Sequence, residues 1–347
     1  MGDILHALPA VTALRQAHPT WQIDWLVEPK WSALLTAGDA EQCGGIERDT
    51  DSPVPLKPVV DKVYFAATKA WRKRPLSSET RGELAELRST LRAQQYSAVL
   101  DVQGSLRSAI LGRLAGVRRF IGEAAPREKQ ARWLFTQRVA THGSHVIEQD
   151  IELASAVAGD VLAHVPPMLP FHPAAETRAE ELFPEGASPA VLLNPGAGWG
   201  AKRWPVERYA AVAQGLIDRG LRVLVNVGPG EEAYAEPIVA ATKGQAIALQ
   251  ADLPLLIAVT RRIVLAIAGD TGPLHLACAV GKPVVGIYGP TDPSRNGPFG
   301  TRFEVLRSPA SVRDHKRRPD PEAGLLTIEP GSVLAAADRV LYPETAQ

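Results

Sequence analysis

A chain of 347 residues, 45% hydrophobic and 22% charged, is long enough for two domains that each bury a core of their own. Its 38 basic and 38 acidic residues cancel, which disfavours a general nucleic-acid binder and leaves any basic site local. Cys43 and Cys278 cannot build a disulfide framework and read as reduced thiols of a cytoplasmic protein, and no apolar run reaches transmembrane length.

In chain order, Asp3 stands at the start of an expected amphipathic helix, where a carboxylate serves as a cap. Ile23–Val27, Val63–Ala66, Ala98–Val102 and Arg119–Gly122 read as strands. Between the second and third, Glu83–Gln95 is helical, with Leu84, Leu87 and Leu91 on one face. Cys43 to Pro58, rich in Gly, Asp and Pro, is an expected exposed loop. A Pro-rich interval from Pro166 through Pro173 to Pro189 brackets a short helical pattern and is the expected interdomain linker.

The second half repeats the alternation: strand Ala190–Leu193, helix Val206–Arg219, strand Arg222–Val227, helix Leu253–Thr260, strand Ile263–Ala268, a further helix, then strand Val284–Tyr288. Such alternation predicts doubly wound parallel sheets, hence two Rossmann-like domains. The expected division is an N-terminal domain over 1–165, a linker over 166–189 and a C-terminal domain over 190–347, with the last helix packing back on the first domain.

Candidate chemistry collects where strands of this kind end, which is where open α/β sheets bind ligands. Gly269-Asp270-Thr271-Gly272-Pro273-Leu274-His275 turns an apolar strand into a helix. Pro273 suits the first helical turn and Thr271 the cap, and the unpaired N–H groups there attract a phosphate or diphosphate. Asn194 to Pro205 carries Gly196, Gly198 and Gly200, which allow close backbone approach to an anion, and Lys202, which supplies a charge. It is neither a Walker A loop nor a dinucleotide fingerprint. Taken singly, each segment is equally an ordinary turn or a solvated lysine; together they make a nucleotide diphosphate the economical ligand. Glu231, after the next strand, could meet a ribose or a sugar, although a solvated turn explains it as well.

In the first half, Asp101 to Ser108 is another strand-end turn and contains Gln103 and Arg107. Trp71-Arg72-Lys73-Arg74 is a short basic cluster, and Arg127 adds a further cation. Charge runs are commonly solvated faces. Local cations in a neutral chain also suit a substrate bearing carboxylates or phosphates.

The ordered set of motifs resembles the family 9 glycosyltransferases. The matching pieces are Met1-Gly2-Asp3-Ile4-Leu5-His6, Trp71-Arg72-Lys73, Asp101-Val102-Gln103-Gly104, Arg127-Glu128, Lys202 with Trp204-Pro205, Asp270-Thr271-Gly272 with His275, and Tyr288-Gly289-Pro290-Thr291-Asp292-Pro293. The resemblance implies an α/β GT-B fold with the donor in the second domain and the acceptor in the first. It implies inverting transfer of L-glycero-D-manno-heptose from ADP-heptose to the Kdo of Kdo2-lipid A in lipopolysaccharide inner-core synthesis, with no metal and no cofactor. The place of action would be the cytoplasmic face of a Gram-negative inner membrane, peripherally, with no nucleic-acid partner.

Carried over by position, Asp3 resembles the catalytic base. Lys202, Thr271 and Gly272 resemble diphosphate contacts, with Gly196, Ala197, Glu231, Asp270 and His275 shaping the donor site. Arg72, Lys73, Arg74, Gln103, Arg107 and Arg127 would meet the acceptor. The rivals are another core transferase of the family, a GT-B enzyme using a different nucleotide sugar, and an inactive nucleotide-sugar-binding protein. Two departures stand out. Family members carry a β-strand before the Met-Gly-Asp motif, central in the first sheet, so about a dozen further N-terminal residues are expected, the size of a strand and loop. Gly196-Ala197-Gly198 offers backbone where relatives often place hydroxyls.

Overall fold

The computed structural model describes residues 1–37, 58–314 and 318–343. Cys43 and the expected loop up to Pro58 therefore lie outside the described residues, Pro58 itself excepted. The chain forms two compact α/β units, one of His6–Pro170 and one of Phe171–Gln347 together with Met1–Leu5. Every described ladder is parallel, as strand–helix alternation requires.

The first unit contains most of α1 (Gly2–Ala17), then β1 (Asp24–Val27), β2 (Lys62–Phe65), α2 (Thr68–Lys73), α3 (Ser78–Ala93), β3 (Ala98–Asp101), α4 (Leu106–Arg113), β4 (Arg119–Glu123), β5 (Gln137–Val139) and α5 (Val146–Ala158). Its strands form two sheets, β1-β2 and β3-β4-β5. The helix expected to be amphipathic, α1, is instead buried all round from Leu5 to Arg15. The one deep charge in that run is compensated: Arg15 donates to the carbonyls of Pro58 (2.9 Å) and Trp21 (2.7 Å) and pairs with Asp61 at 2.5 Å. Ser77 caps α3 by accepting the Thr80 N–H, and its Leu87 and Leu91 pack with Leu26 of β1, Tyr64 of β2 and Val99 of β3. One helix thus covers both sheets.

The second unit runs α6 (Pro173–Leu182), β6 (Ala190–Asn194), α7 (Val206–Ile217), β7 (Arg222–Asn226), α8 (Glu236–Ala241), β8 (Ile247–Leu249), α9 (Leu253–Arg262), β9 (Leu265–Gly269), α10 (Gly272–Ala279), β10 (Val284–Tyr288), α11 (Pro293–Asn296), β11 (Phe303–Arg307) and α12 (Pro330–Leu341). Its single sheet has the order β11-β10-β9-β6-β7-β8. The order reverses between β6 and β9, both buried along their whole length, and the crevice beyond their carboxyl ends is where such a sheet takes a ligand. Within this unit α12 buries Val333, Ala336, Ala337 and Val340 in the core that α7 also lines.

Candidate active site

At the carboxyl ends of β7, β6 and β9 a chain of side-chain amides fixes the loops. Asn226 donates to Asn194 Oδ1 at 2.7 Å, and Asn194 Nδ2 reaches the Gly196 carbonyl (3.0 Å) and Thr271 Oγ1 (3.4 Å). The Thr271 hydroxyl donates back to the Gly269 carbonyl at 3.2 Å. The expected Thr271 cap is therefore not formed: its side chain makes no bond into α10. The first-turn N–H groups of α10 consequently keep their affinity for an anion. The Asn194–Asn226 pair escaped sequence reasoning; its signal was an amide ending each of two apolar strands.

Around that helix start three ionisable side chains are interlocked. Lys202 Nζ pairs with Asp270 Oδ2, approaches the Asp270 carbonyl at 3.4 Å and lies 4.4 Å from the centre of the Trp199 ring. Asp270 Oδ1 faces His275 Nε2 at 3.2 Å. Lys202 and Asp270 are 11% and 13% exposed, so solvent screens this pair only weakly. Burial pushes the Asp270 carboxyl toward the neutral form, but the His275 hydrogen bond and the Lys202 charge prevail and hold its pKa well below the usual carboxylate range. The carboxylate thus orients the lysine and the imidazole together. Tyr288, ending β10, is buried with its hydroxyl unpartnered; burial first and the Asp270 charge second push its pKa upward.

The loop carrying Lys202 is strapped from outside. Ala201 donates to the Arg318 carbonyl (3.0 Å) and accepts from Glu322 N–H (3.2 Å), and a Cβ on Gly200 would stand 1.5 Å from the Pro319 oxygen. Only glycine fits there. Ala197 is buried, and Gly196 lies against the Glu231 carboxylate, whose Oε2 accepts the Gly228 N–H at 3.1 Å. Glu231 therefore closes the space between the β6 and β7 turns.

Asp3 is exposed in the first turn of α1, and this turn clusters with the same unit. A Cβ on Gly2 would stand 3.5 Å from the His275 ring, and one on Gly272 would meet the Met1 thioether at 2.5 Å. Asp3, Lys202, Asp270, Thr271, Gly272 and His275 are thereby assembled on one body.

The remaining sequence candidates lie in the other unit. Asp101 Oδ1 accepts the N–H groups of Gln103 (2.9 Å) and Gly104 (2.8 Å), bending the chain after β3. Gly104, at φ +62, also lets the turn close against the Arg127 amide, and its carbonyl accepts the Glu128 N–H at 2.9 Å. Glu128 then caps Leu106 N–H (2.9 Å), while Ser105 and Ser108 complete a capping box on α4. Gln103, Arg107 and Arg127 are exposed around this knot, and Arg107 donates to Thr68 Oγ1 at the start of α2 (3.2 Å). Arg72 and Lys73 sit instead in the last turn of α2, and Arg74 is paired on the surface with Glu79 (3.1 Å). The structure groups three of the six acceptor candidates and leaves Arg72, Lys73 and Arg74 as a separate cluster. Burial raises the Asp101 carboxyl pKa, and its Oδ2 has no hydrogen-bond partner.

Comparison with known proteins now places this architecture. The model of glycosyltransferase family 9 (heptosyltransferase) matches residues 84–325. Lipopolysaccharide heptosyltransferase 1 of Escherichia coli K12 is 29% identical over 320 residues, covering 89% of this chain and 91% of that protein. The Pseudomonas aeruginosa protein of the same name is 28% identical over 86% of this chain and 79% of its own length. The solved structure of E. coli heptosyltransferase WaaC with ADP superposes with a TM-score of 0.77 at 25% identity, covering 98% of this chain and 96% of that one. The chain belongs to glycosyltransferase family 9, and its parallel α/β fold matches that of a GT-B heptosyltransferase.

Proposed function

We propose that this enzyme transfers L-glycero-D-manno-heptose, with inversion and without a metal, from ADP-heptose to the Kdo of Kdo2-lipid A at the cytoplasmic face of a Gram-negative inner membrane. The relatives named lipopolysaccharide heptosyltransferase 1 support the sugar and the pathway, and a WaaC structure with ADP-2-deoxy-2-fluoro heptose (TM-score 0.75) supports the donor class. The observation that carries the reading is the packing of the first turn of α1 on the first turn of α10, Gly2 at His275 and Met1 at Gly272. The turn so packed is the one that carries Asp3, and it lies against a helix end suited to an anionic leaving group.

In this mechanism Asp3 takes the proton of the acceptor hydroxyl as its oxygen attacks the anomeric carbon and the bond to ADP breaks. The charge developing on the diphosphate meets the α10 amides at Thr271 and Gly272 and the Lys202 ammonium. Asp270 keeps Lys202 and His275 in place, and Gly196, Ala197 and Glu231 line the rest of the donor site. Gln103, Arg107 and Arg127, with Arg72, Lys73 and Arg74, receive the carboxylates and phosphates of the acceptor.

The test is transfer from ADP-heptose to detergent-dispersed Kdo2-lipid A by the purified protein in EDTA. Heptosylated product supports donor, acceptor and metal independence together. Product formed only on an already heptosylated core would make this the enzyme of a later step. ADP binding without transfer to either acceptor would make the chain a nucleotide-sugar-binding protein, and loss of ADP binding would remove the donor site.

A further inference from the structure

Leu106 and Ile110 are 37% and 50% exposed, and with the exposed Arg113 they occupy positions i, i+4 and i+7 of α4, a single stripe on its outer side. The short helical turn Lys129–Trp133 packs beside α4, and Trp133 on it is 74% exposed. The inner sides of the two elements are filled: Ala109 and Ala131 are fully buried with Phe120 and Phe135. The Glu128 carboxylate on the Leu106 N–H ties the start of one element to the start of the other. Three large apolar side chains thus stand on the outer faces of adjoining, firmly packed elements, where folding does not use them.

The charge around them is lopsided. From Leu106 to Arg138 the sequence holds eight Arg or Lys and two Glu, an excess of six in a chain whose total is zero. Arg107, Arg113, Arg127, Lys129, Arg132 and Arg138 are all exposed. Exposed apolar side chains elsewhere also follow or precede cations, Leu76 after Arg72-Lys73-Arg74 and Val312 before Arg313, but each is a single residue in its segment, whereas here three share two packed elements. Aliphatic and indole groups ringed by guanidinium groups suit a water–lipid boundary: the apolar tips enter the headgroup layer while the cations meet lipid phosphates.

We infer that the outer face of α4 and the Lys129–Trp133 turn is the surface by which this enzyme docks on an anionic lipid bilayer. This deepens the reading above, since Gln103, Arg107 and Arg127 emerge from the same knot and a docked α4 would hold them at headgroup level. No helix among the described residues is long and apolar enough to cross a membrane, so the attachment is lateral.

Flotation with phosphatidylglycerol/phosphatidylcholine vesicles containing no acceptor tests the surface apart from the activity. The wild-type protein is expected to float with the anionic vesicles, to release as salt rises, and to ignore pure phosphatidylcholine. A charge near an anionic leaflet changes partitioning about fivefold, so R113E with R132E is expected to weaken flotation at least about 25-fold. I110S with W133S is expected to weaken it at every salt concentration. Both variants should keep the wild-type melting temperature and the transfer rate on detergent-dispersed acceptor, because none of these four side chains belongs to the proposed site. Wild-type flotation in both variants, equal binding to neutral vesicles, or equally tight binding to duplex DNA would overturn the inference. An enzyme inactive on Kdo2-lipid A that still floats through these residues would remove the proposed acceptor while leaving the docking surface intact.

Discussion

The two units are built on one plan and finish it differently. In the C-terminal unit six strands close into one sheet whose β6, β9 and β10 are buried throughout, and its charges are matched at short range, Lys202 against Asp270 and Glu176 against Arg261 and Arg262. In the N-terminal unit the five strands among the described residues fall into a pair and a triplet, β1 and β3 stay partly exposed, and the cations of α2, α4 and the Arg127 loop face water. The difference teaches how each half should respond to solvent and salt. A pre-paired, weakly solvated site works through fixed geometry. A field of exposed guanidinium groups works through charge, and salt therefore weakens it.

The sharpest way to break that comparison is at Asp3, which belongs with the C-terminal unit although it opens the chain. Asp3→Ala is expected to keep ADP affinity by calorimetry while transfer falls by about 10²–10⁴-fold, the usual cost of losing a general base. Retained turnover would take catalysis away from this body.

Next in size is Asp270→Ala. It leaves Lys202 and His275 beside an empty place, and breaking a buried pair in this way costs about 3–5 kcal/mol, to be read from denaturant unfolding. The pH dependence has a definite sign. A carboxyl held below its ordinary pKa stabilises the fold fully above the unfolded value, about 3.9, and loses that contribution as pH falls toward the lower folded value. Acid unfolding of the wild-type protein should therefore steepen below that point, and Asp270→Asn should flatten the profile there.

Backbone packing separates neighbouring glycines of one loop. Gly200→Ala drives a methyl group into the Pro319 carbonyl and is expected to destabilise by about 1–3 kcal/mol, as overpacking does. Nothing stands within 4 Å of the corresponding position at Gly198, so Gly198→Ala should change stability by no more than about 0.5 kcal/mol. Thermal melts of the two variants decide whether the strap through Arg318–Glu322 is as rigid as the hydrogen bonds imply.

On the other unit, Arg107→Ala should raise the acceptor KM about tenfold, near the 1.4 kcal/mol of one modest charged contact, with kcat and ADP affinity unchanged. The wild-type KM should rise with salt and converge on that of the variant. A fall in kcat instead would show that this side chain reaches the reacting atoms.

Much of this architecture was legible where burial is two-sided. Val284–Tyr288 reads as a continuous apolar run and is β10 over the same residues; Pro173 opens α6 as its ring demands. The strands without such a signature, β5, β8 and β11, lie at sheet edges, where short, half-exposed segments such as Gln137–Val139 need no apolar pattern. The all-round burial of α1 is likewise invisible in its own sequence, because neighbouring elements decide it. At the site, Asp270, Lys202 and His275 could be singled out, but their interlocking joins side chains 68 positions apart and only folding reveals it. The Thr271 cap fails for a related reason: the fold turns the hydroxyl back to the Gly269 carbonyl, two residues earlier, and away from the first-turn N–H groups of α10. Cys278, read as a reduced thiol, is buried in α10, and that burial pushes its pKa up to about 12, so it is a packing residue and a poor nucleophile.

The division of the N-terminal sheet has a consequence for assembly. The C-terminal order, read outward from β6, is β7-β8 on one side and β9-β10-β11 on the other; the N-terminal strands repeat the flanks as β1-β2 and β3-β4-β5 with nothing equivalent to β6 among the described residues. Among the described residues no ladder joins β1 to β3, although α3 covers both, and none of the described strands takes the place between them. Such edges act as a template. A single extended, apolar peptide lying parallel between them would convert a pair and a triplet into one six-stranded sheet.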